Sequence, residues 1–142
     1  MLFRRRARGE RGAAAVEFAL ILPIFLMLLF GIIDFGYMIN RGSMINNASR
    51  DAVRTAALQA PRSEVIAVAN NGLTAVGSAT VTVSCRTPAN APCGANYDAA
   101  REAGGTAVVR IAYRHKMLTP VGIFFPGGFD LTRTAEMRIE DR

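Results

Sequence analysis

The sequence predicts an α+β protein: a long N-terminal α-helix able to span a membrane, then a small three-stranded antiparallel sheet domain. Three observations predict it. A charge-free apolar run occupies Phe18 to Ile33. Small and apolar residues then recur at helical spacing as far as Ala56, with a proline at position 61. From Thr80 onward the apolar period shortens to two in three separate segments.

The 142 residues make a chain of single-domain length. After the long helix roughly eighty residues remain, enough for a sheet-and-helix domain with a thin core. The expected division is a basic cytoplasmic leader over 1–12, a transmembrane helix over 13–33, its extension outside the membrane over 34–59, and a small extracytoplasmic α+β domain over 60–142. The net charge of +6 raises the question of nucleic acid, and its distribution answers it. Arg4, Arg5, Arg6, Arg8 and Arg11, offset by Glu10, give +5 − 1 = +4 before residue 13, which leaves +2 for the rest. A basic tip beside an apolar run, with no basic face continuing into the folded part and no Trp, is a topology signal. Nucleic acid is not an expected partner.

The first element is the membrane helix. Adding Ala13–Val16 to the run gives about 20 residues, enough for a hydrocarbon core of roughly 30 Å. By the positive-inside rule, the arginines hold the N-terminus in the cytoplasm, and everything after Asp34 lies outside. The run is too long for a secretory signal, and Asp34-Phe35-Gly36-Tyr37-Met38 supplies no small-x-small cleavage site. The small residues stand before the run instead, at Gly12-Ala13-Ala14-Ala15. A cut between Gly12 and Ala13 would remove the basic leader and keep the helix.

Glu17 is the one charge inside this segment. A carboxylate in an apolar helix costs about 2.5–3.5 kcal/mol at the bilayer centre unless it is paired. If Gly12-Ala13 is cut, the new Ala13 ammonium lies one turn from Glu17, within reach of that carboxylate or of a neighbouring subunit's. The alternative puts Glu17 at the headgroup boundary, favoured by the helix dipole. Pro23 either kinks the helix or marks a tolerated membrane proline.

A short basic leader, Gly12, the small stretch Ala13 to Val16, then Glu17-Phe18 and an apolar helix resemble a type IV prepilin processing site. Val16-Glu17-Phe18-Ala19-Leu20-Ile21-Leu22-Pro23 and the Ala/Arg-rich Ala48-Ser49-Arg50-Asp51-Ala52-Val53-Arg54-Thr55-Ala56-Ala57 resemble more particularly the TadE-like minor pseudopilins of tight-adherence (Flp-type, type IVc) pili. A terminal strand ending Met137-Arg138-Ile139-Glu140 also fits. The resemblance is sharp over Gly12 to Ala57 and general in layout beyond. It implies a type IV pilin-like architecture, cleavage by a prepilin peptidase after Gly12, and a role for Glu17 and Phe18 in assembly through pairing with another subunit's N-terminus. It also implies other pilins, pseudopilins and the pilus assembly machinery as partners, with the chain held as a single-pass protein in the bacterial inner membrane or incorporated in a surface pilus.

The helix continues past the membrane. Phe35, Met38, Gly42, Ile45, Ser49, Ala52 and Ala56 form one seam, with Asn40, Arg41, Asn46, Asn47, Arg50 and Arg54 on other faces. One helix over 13–59 would be roughly 70 Å long. Its small-residue seam serves either helix association or packing on its own sheet, and the last three turns favour the sheet. A second short helix is expected from Arg62 to Asn71, stopped by Asn71-Gly72. The three strands follow. Thr80–Cys85 turns Val81, Val83 and Cys85 to one face, and Ala107–Arg114 turns Val109, Ile111 and Tyr113 inward with Arg110 and Arg114 outward. In Leu131–Glu140, Leu131, Ala135, Met137 and Ile139 face inward, and Arg133 breaks the pattern. The apolar face of such a sheet needs a helix to cover it.

Between the last two strands, Met117 to Phe129 is apolar and punctuated by Pro and Gly. It is either a partner-binding or membrane-touching surface or a flap over the sheet edge. Cys85 and Cys93 flank a Pro- and Asn-rich stretch. Outside the cytoplasm a disulfide closing a short loop is the expected state, against two unrelated thiols. A zinc site would have only His115 to join them. No catalytic constellation, phosphate loop or metal-spaced acidic cluster is present in the sequence, so no enzyme activity, cofactor, metal or small-molecule substrate is expected. His115, beside Lys116, reads as an exposed strand-end residue. The main competing reading is an unprocessed, membrane-anchored periplasmic scaffold or binding protein.

Overall fold

The computed structural model describes residues 9–141; the leader arginines Arg4, Arg5, Arg6 and Arg8 lie outside the described residues. Helix α1 runs from Gly9 to Ala57, and α2 from Arg62 to Gly72. Strand β1 (Ala79–Arg86), the short helix α3 (Tyr97–Ala100), strand β2 (Thr106–His115), a 3-10 turn (Pro120–Phe124) and strand β3 (Phe129–Arg138) complete the chain. The strands form one antiparallel sheet in the order β1-β2-β3. The α+β architecture is the one expected, with three differences among the helices and a third strand that lies two residues earlier than the expected Leu131–Glu140, ending at Arg138. α1 starts earlier and stops two residues before 59, α2 takes in Gly72 instead of ending at Asn71, and α3 carried no helical period long enough to announce it.

Pro23 does not end α1; its missing N–H leaves one carbonyl a turn earlier without an intrahelical donor, and helical bonds resume beyond it. The C-terminus of α1 is closed by backbone geometry rather than by Pro61. Gln59 adopts φ 60°, its N–H donates to Ala56 O at 3.1 Å, and Ala60 N–H donates to Thr55 O at 3.4 Å. This is the paired-bond stop of a Schellman motif, with Gln in the left-handed position where glycine is commonest. Two long-range bonds reinforce this end: Tyr97 Oη donates a second hydrogen bond to Ala56 O at 3.1 Å, and Glu140 N–H donates to Ala57 O at 2.9 Å.

The outer half of α1 lies on the sheet, and α2 covers it next to β1. Of the expected seam, Gly42, Ile45, Ser49, Ala52 and Ala56 are buried, joined by Ala48, Val53 and Ala57, and Met38 is half-buried. Phe35 at its start is 59% exposed, at the limit of the sheet's reach. Small residues on this face let backbones approach closely. At Gly72 an added Cβ would stand 2.9 Å from Ala48 Cβ, so α2 meets α1 there almost backbone to backbone. The register aligns Val83, Val109 and Ala135 across the sheet, with Val81, Ile111 and Arg133 in the next row and Cys85, Ala107 and Met137 beyond. Val109, Ile111 and Ala107 on the central strand are fully buried, and Val65, Ala69, Leu73, Tyr97 and Ile139 close the core.

The register also explains the departures from the strand pattern. Arg133 has inward parity but sits on edge strand β3. Its guanidinium lies beside Gly42, whose missing side chain leaves the space. Met137, expected inward, is 41% exposed, because it lies on the same edge at the row where α1 is ending. On the outer face, Arg86 and Glu136 pair at 3.0 Å from β1 to β3, reaching across β2 beside the buried Val108. Exposed pairs of this kind contribute roughly 0–1 kcal/mol.

Strand β2 measures out the domain. It begins where Gly105 O accepts from Ile139 N–H, beside the C-terminus of α1, and ends at His115, whose ring lies 5.7 Å from that of Tyr37. Ten residues at about 3.4 Å span the same length, about 34 Å, as α1 from Asp34 to Ala57 at 1.5 Å each. The sheet therefore reaches back along α1 to Asp34, and the loop after His115 lies at the pole where the apolar run ends.

Candidate functional site

The N-terminal half of α1 packs on nothing. Val16, Phe18, Leu20, Ile21, Ile24, Phe25, Met27, Leu28 and Ile32 are all exposed, around every side of the helix. It is the one helix among the described residues long and apolar enough to cross a membrane, and none of its most apolar window is buried against the domain. Each large apolar side chain left in water forgoes roughly 1.5–3 kcal/mol, so this segment needs an apolar surrounding that its own chain does not provide.

Gly12, Ala13, Glu17 and Phe18 lie at the start of this bare segment, all exposed and all inside α1. Ala13 and Glu17 are four residues apart and so share a face one turn from each other. A Cβ at Gly12 would meet nothing within 4 Å, so the structure imposes no packing need for glycine there. The helix runs through the Gly12–Ala13 bond, which sits in its first turns, where fraying is easiest.

The other end of the apolar run is a built junction. Asp34, the first charge after the run, is 1% exposed. Its carboxylate accepts from Leu118 N–H at 2.8 Å and from the Thr119 hydroxyl. Burial pushes its pKa up, and the bonds from Thr119 and Leu118 together with the charge of nearby His115 outweigh that, leaving it below the ordinary carboxylate value of 3.8. Asp34 is thus ionised at neutral pH and clasps the Met117–Phe129 loop to α1. Next to it, Tyr37 accepts a hydrogen bond from Arg41, whose guanidinium also lies over the Tyr37 ring at 4.5 Å.

His115 is corrected here. Expected to be exposed, it is fully buried between Tyr37 and Tyr113, at ring distances of 5.7 and 6.3 Å. Neither ring nitrogen has a hydrogen-bond partner among the described residues. Its parity with Val109, Ile111 and Tyr113 was the signal for this, outweighed in the sequence by its charged neighbours Arg114 and Lys116. Asp34 and Tyr97 were missed for a different reason: their partners lie 84 and 41 residues away, and no local pattern marks such pairs.

Cys85 and Cys93 have their sulfurs at bonding distance, with Cα atoms 5.4 Å apart. The intervening turn is independently closed by Cys93 N–H to Cys85 O at 3.1 Å and Thr87 N–H to Ala91 O at 2.8 Å. Intact protein isolated without reductant is expected to show a two-proton mass deficit, and the bridge to add about 2–3 kcal/mol in the chain-entropy account. Two alkylatable thiols would refute it. Among the described residues, no group of three His, Cys, Asp or Glu side chains is placed to hold a metal.

Residues 12–54 match the family model described as TadE-like protein. The match begins at Gly12, takes in the bare half of α1 and ends at Arg54, before the sheet. The match covers 43 of the 142 residues. No curated protein and no solved structure matches the chain.

Proposed function

We propose, for a chain whose residues 12–54 are TadE-like, that it is a minor pseudopilin of a tight-adherence pilus, matured by a prepilin peptidase and used in assembly or initiation of the fibre. In this reading it is a structural component and not an enzyme. The observation that carries it is the coincidence of the TadE-like match with a helix half that is apolar on all sides and packed on nothing of its own. A bilayer supplies the surrounding that this half lacks, and so does a bundle of like helices in a fibre. One segment therefore serves both as membrane anchor and as fibre core. The arginines of the leader favour an N-terminus in the cytoplasm and a sheet domain outside it.

Removal of the leader at Gly12 creates an ammonium at Ala13, one turn from Glu17. In the low dielectric of a membrane or helix bundle, each of these charges requires the other. Pairing between neighbouring subunits would set the axial register of one helix against the next. Phe18, exposed beside Glu17, would pack at the same contact.

Gly12→Arg is expected to leave full-length precursor in cells with an active prepilin peptidase, while wild-type protein begins at Ala13. The open surroundings of Gly12 mean that a block cannot be blamed on misfolding. N-terminal sequencing reads the result, and wild-type mature protein that begins at Met1 defeats the processing reading. The continuity of α1 across the Gly12–Ala13 bond favours the rival in that event: an unprocessed membrane-anchored scaffold.

A further inference from the structure

The loop between β2 and β3 carries a second apolar surface, and its position identifies what covers it. Leu118, Ile123, Phe124 and Phe125 are 61, 79, 66 and 48% exposed, an unusual concentration for so short a segment. The loop is nevertheless held in place. Asp34 accepts from Leu118 and Thr119, the 3-10 turn touches α1, and Gly128 closes the far end with N–H to Phe125 O at 3.1 Å. Its side chains therefore point outward from a fixed frame.

The frame sits at one level of the molecule. Asp34 is the first charge after the apolar run, and β2 delivers the loop to that level from the opposite end of the domain. Lys116 stands exposed at the loop's start, a cation of the kind that meets lipid phosphates, while Arg114 beside it is held by Gly127 O at 2.6 Å and by Asp130 at 3.8 Å. An apolar tip with Lys116 at its shoulder, fastened to α1 where the apolar run ends, matches the layered chemistry of a bilayer interface.

We infer that Leu118, Ile123, Phe124 and Phe125 are a second membrane contact, inserted at the headgroup–acyl boundary of the leaflet from which α1 emerges, with Lys116 at the phosphates of anionic phospholipid. The inference rests on the membrane reading of α1 proposed above. Two attachments, the helix and the loop, fix the rotation and tilt of the sheet domain over the bilayer, which one helix by itself leaves free. Asp34 is the fastening between them.

The chain contains no Trp, so a single introduced Trp reports alone. Full-length Phe124→Trp and Ile123→Trp, each reconstituted in phosphatidylethanolamine/phosphatidylglycerol vesicles, are expected to emit at blue-shifted wavelengths. Lipids brominated near the carbonyls should quench them more strongly than lipids brominated near the chain ends. Ile24→Trp, in the middle of the apolar run, should show the reverse depth order. Water-like, unquenched emission from both loop positions, with Ile24→Trp quenched, overturns the loop contact and leaves the membrane helix standing. Blue-shifted but unquenched loop emission also overturns it, since protein would then be the cover. If Ile24→Trp is itself unquenched, the membrane reading of α1 falls and the loop contact with it.

Discussion

Glu17→Ala is expected to abolish surface piliation while leaving protein level, membrane insertion and leader cleavage close to wild type. Glu17 is exposed on the bare half of α1, far from the sheet, so its loss removes nothing from the folded domain. Taking a carboxylate out of an apolar segment eases insertion, if it changes it at all. On the function proposed above, what it removes is the counter-charge for an Ala13 ammonium at a contact between subunits. An uncompensated charge in such surroundings costs about 3–5 kcal/mol, more than a hundredfold in the contact equilibrium at about 1.4 kcal/mol per decade. Glu17→Asp keeps the charge one methylene shorter and should recover part of the piliation. Immunoblots for level and cleavage, beside electron microscopy of the cell surface, separate these effects. Normal piliation in Glu17→Ala would reduce Glu17 to a headgroup-level residue and favour the scaffold reading.

The largest folding effect from one small substitution is expected at Gly128. Its φ is +66°, and an added Cβ would stand 2.2 Å from His115 O and 3.1 Å from His115 C. Both atoms are backbone, so no side chain can swing away. The left-handed conformation costs a non-glycine residue roughly 1–2 kcal/mol, and forced displacement of packed backbone typically adds about 1–3 kcal/mol. Gly128→Ala should therefore destabilise the sheet domain by about 2–5 kcal/mol in denaturant unfolding. It should also loosen the loop, because His115 and Phe129 are the last paired residues of β2 and β3. Gly127→Ala is the control. Its Cβ would meet only the end of the Arg114 side chain, at 3.3 Å, and less than about 1 kcal/mol is expected for such a surface change. Equal losses at the two positions would show that the close approach at Gly128 is not what holds the loop.

Much of this molecule is legible without coordinates. The membrane-length helix is a property of composition, since sixteen uncharged residues from Phe18 to Ile33 need no knowledge of the rest of the chain. The seam through Ile45, Ser49, Ala52 and Ala56 and the strand alternation at Val81, Val83 and Cys85 are periodic, and periodicity reports which face is buried. The Gly12 to Phe18 constellation is linear as well, so the processing and assembly candidates are available from sequence alone. Tertiary structure decided everything that depends on residues distant in the chain. It buried His115 at the end of an apolar strand face that its charged neighbours disguised. It released Met137 because the strand there is an edge and α1 is ending. It turned Asp34 from a boundary marker into the anchor of a loop 84 residues away, and so brought the apolar tip of that loop to the foot of the bare apolar half of α1. Periodicity encodes the direction a side chain takes from its own element; which element it then meets is decided by the packing of the whole domain.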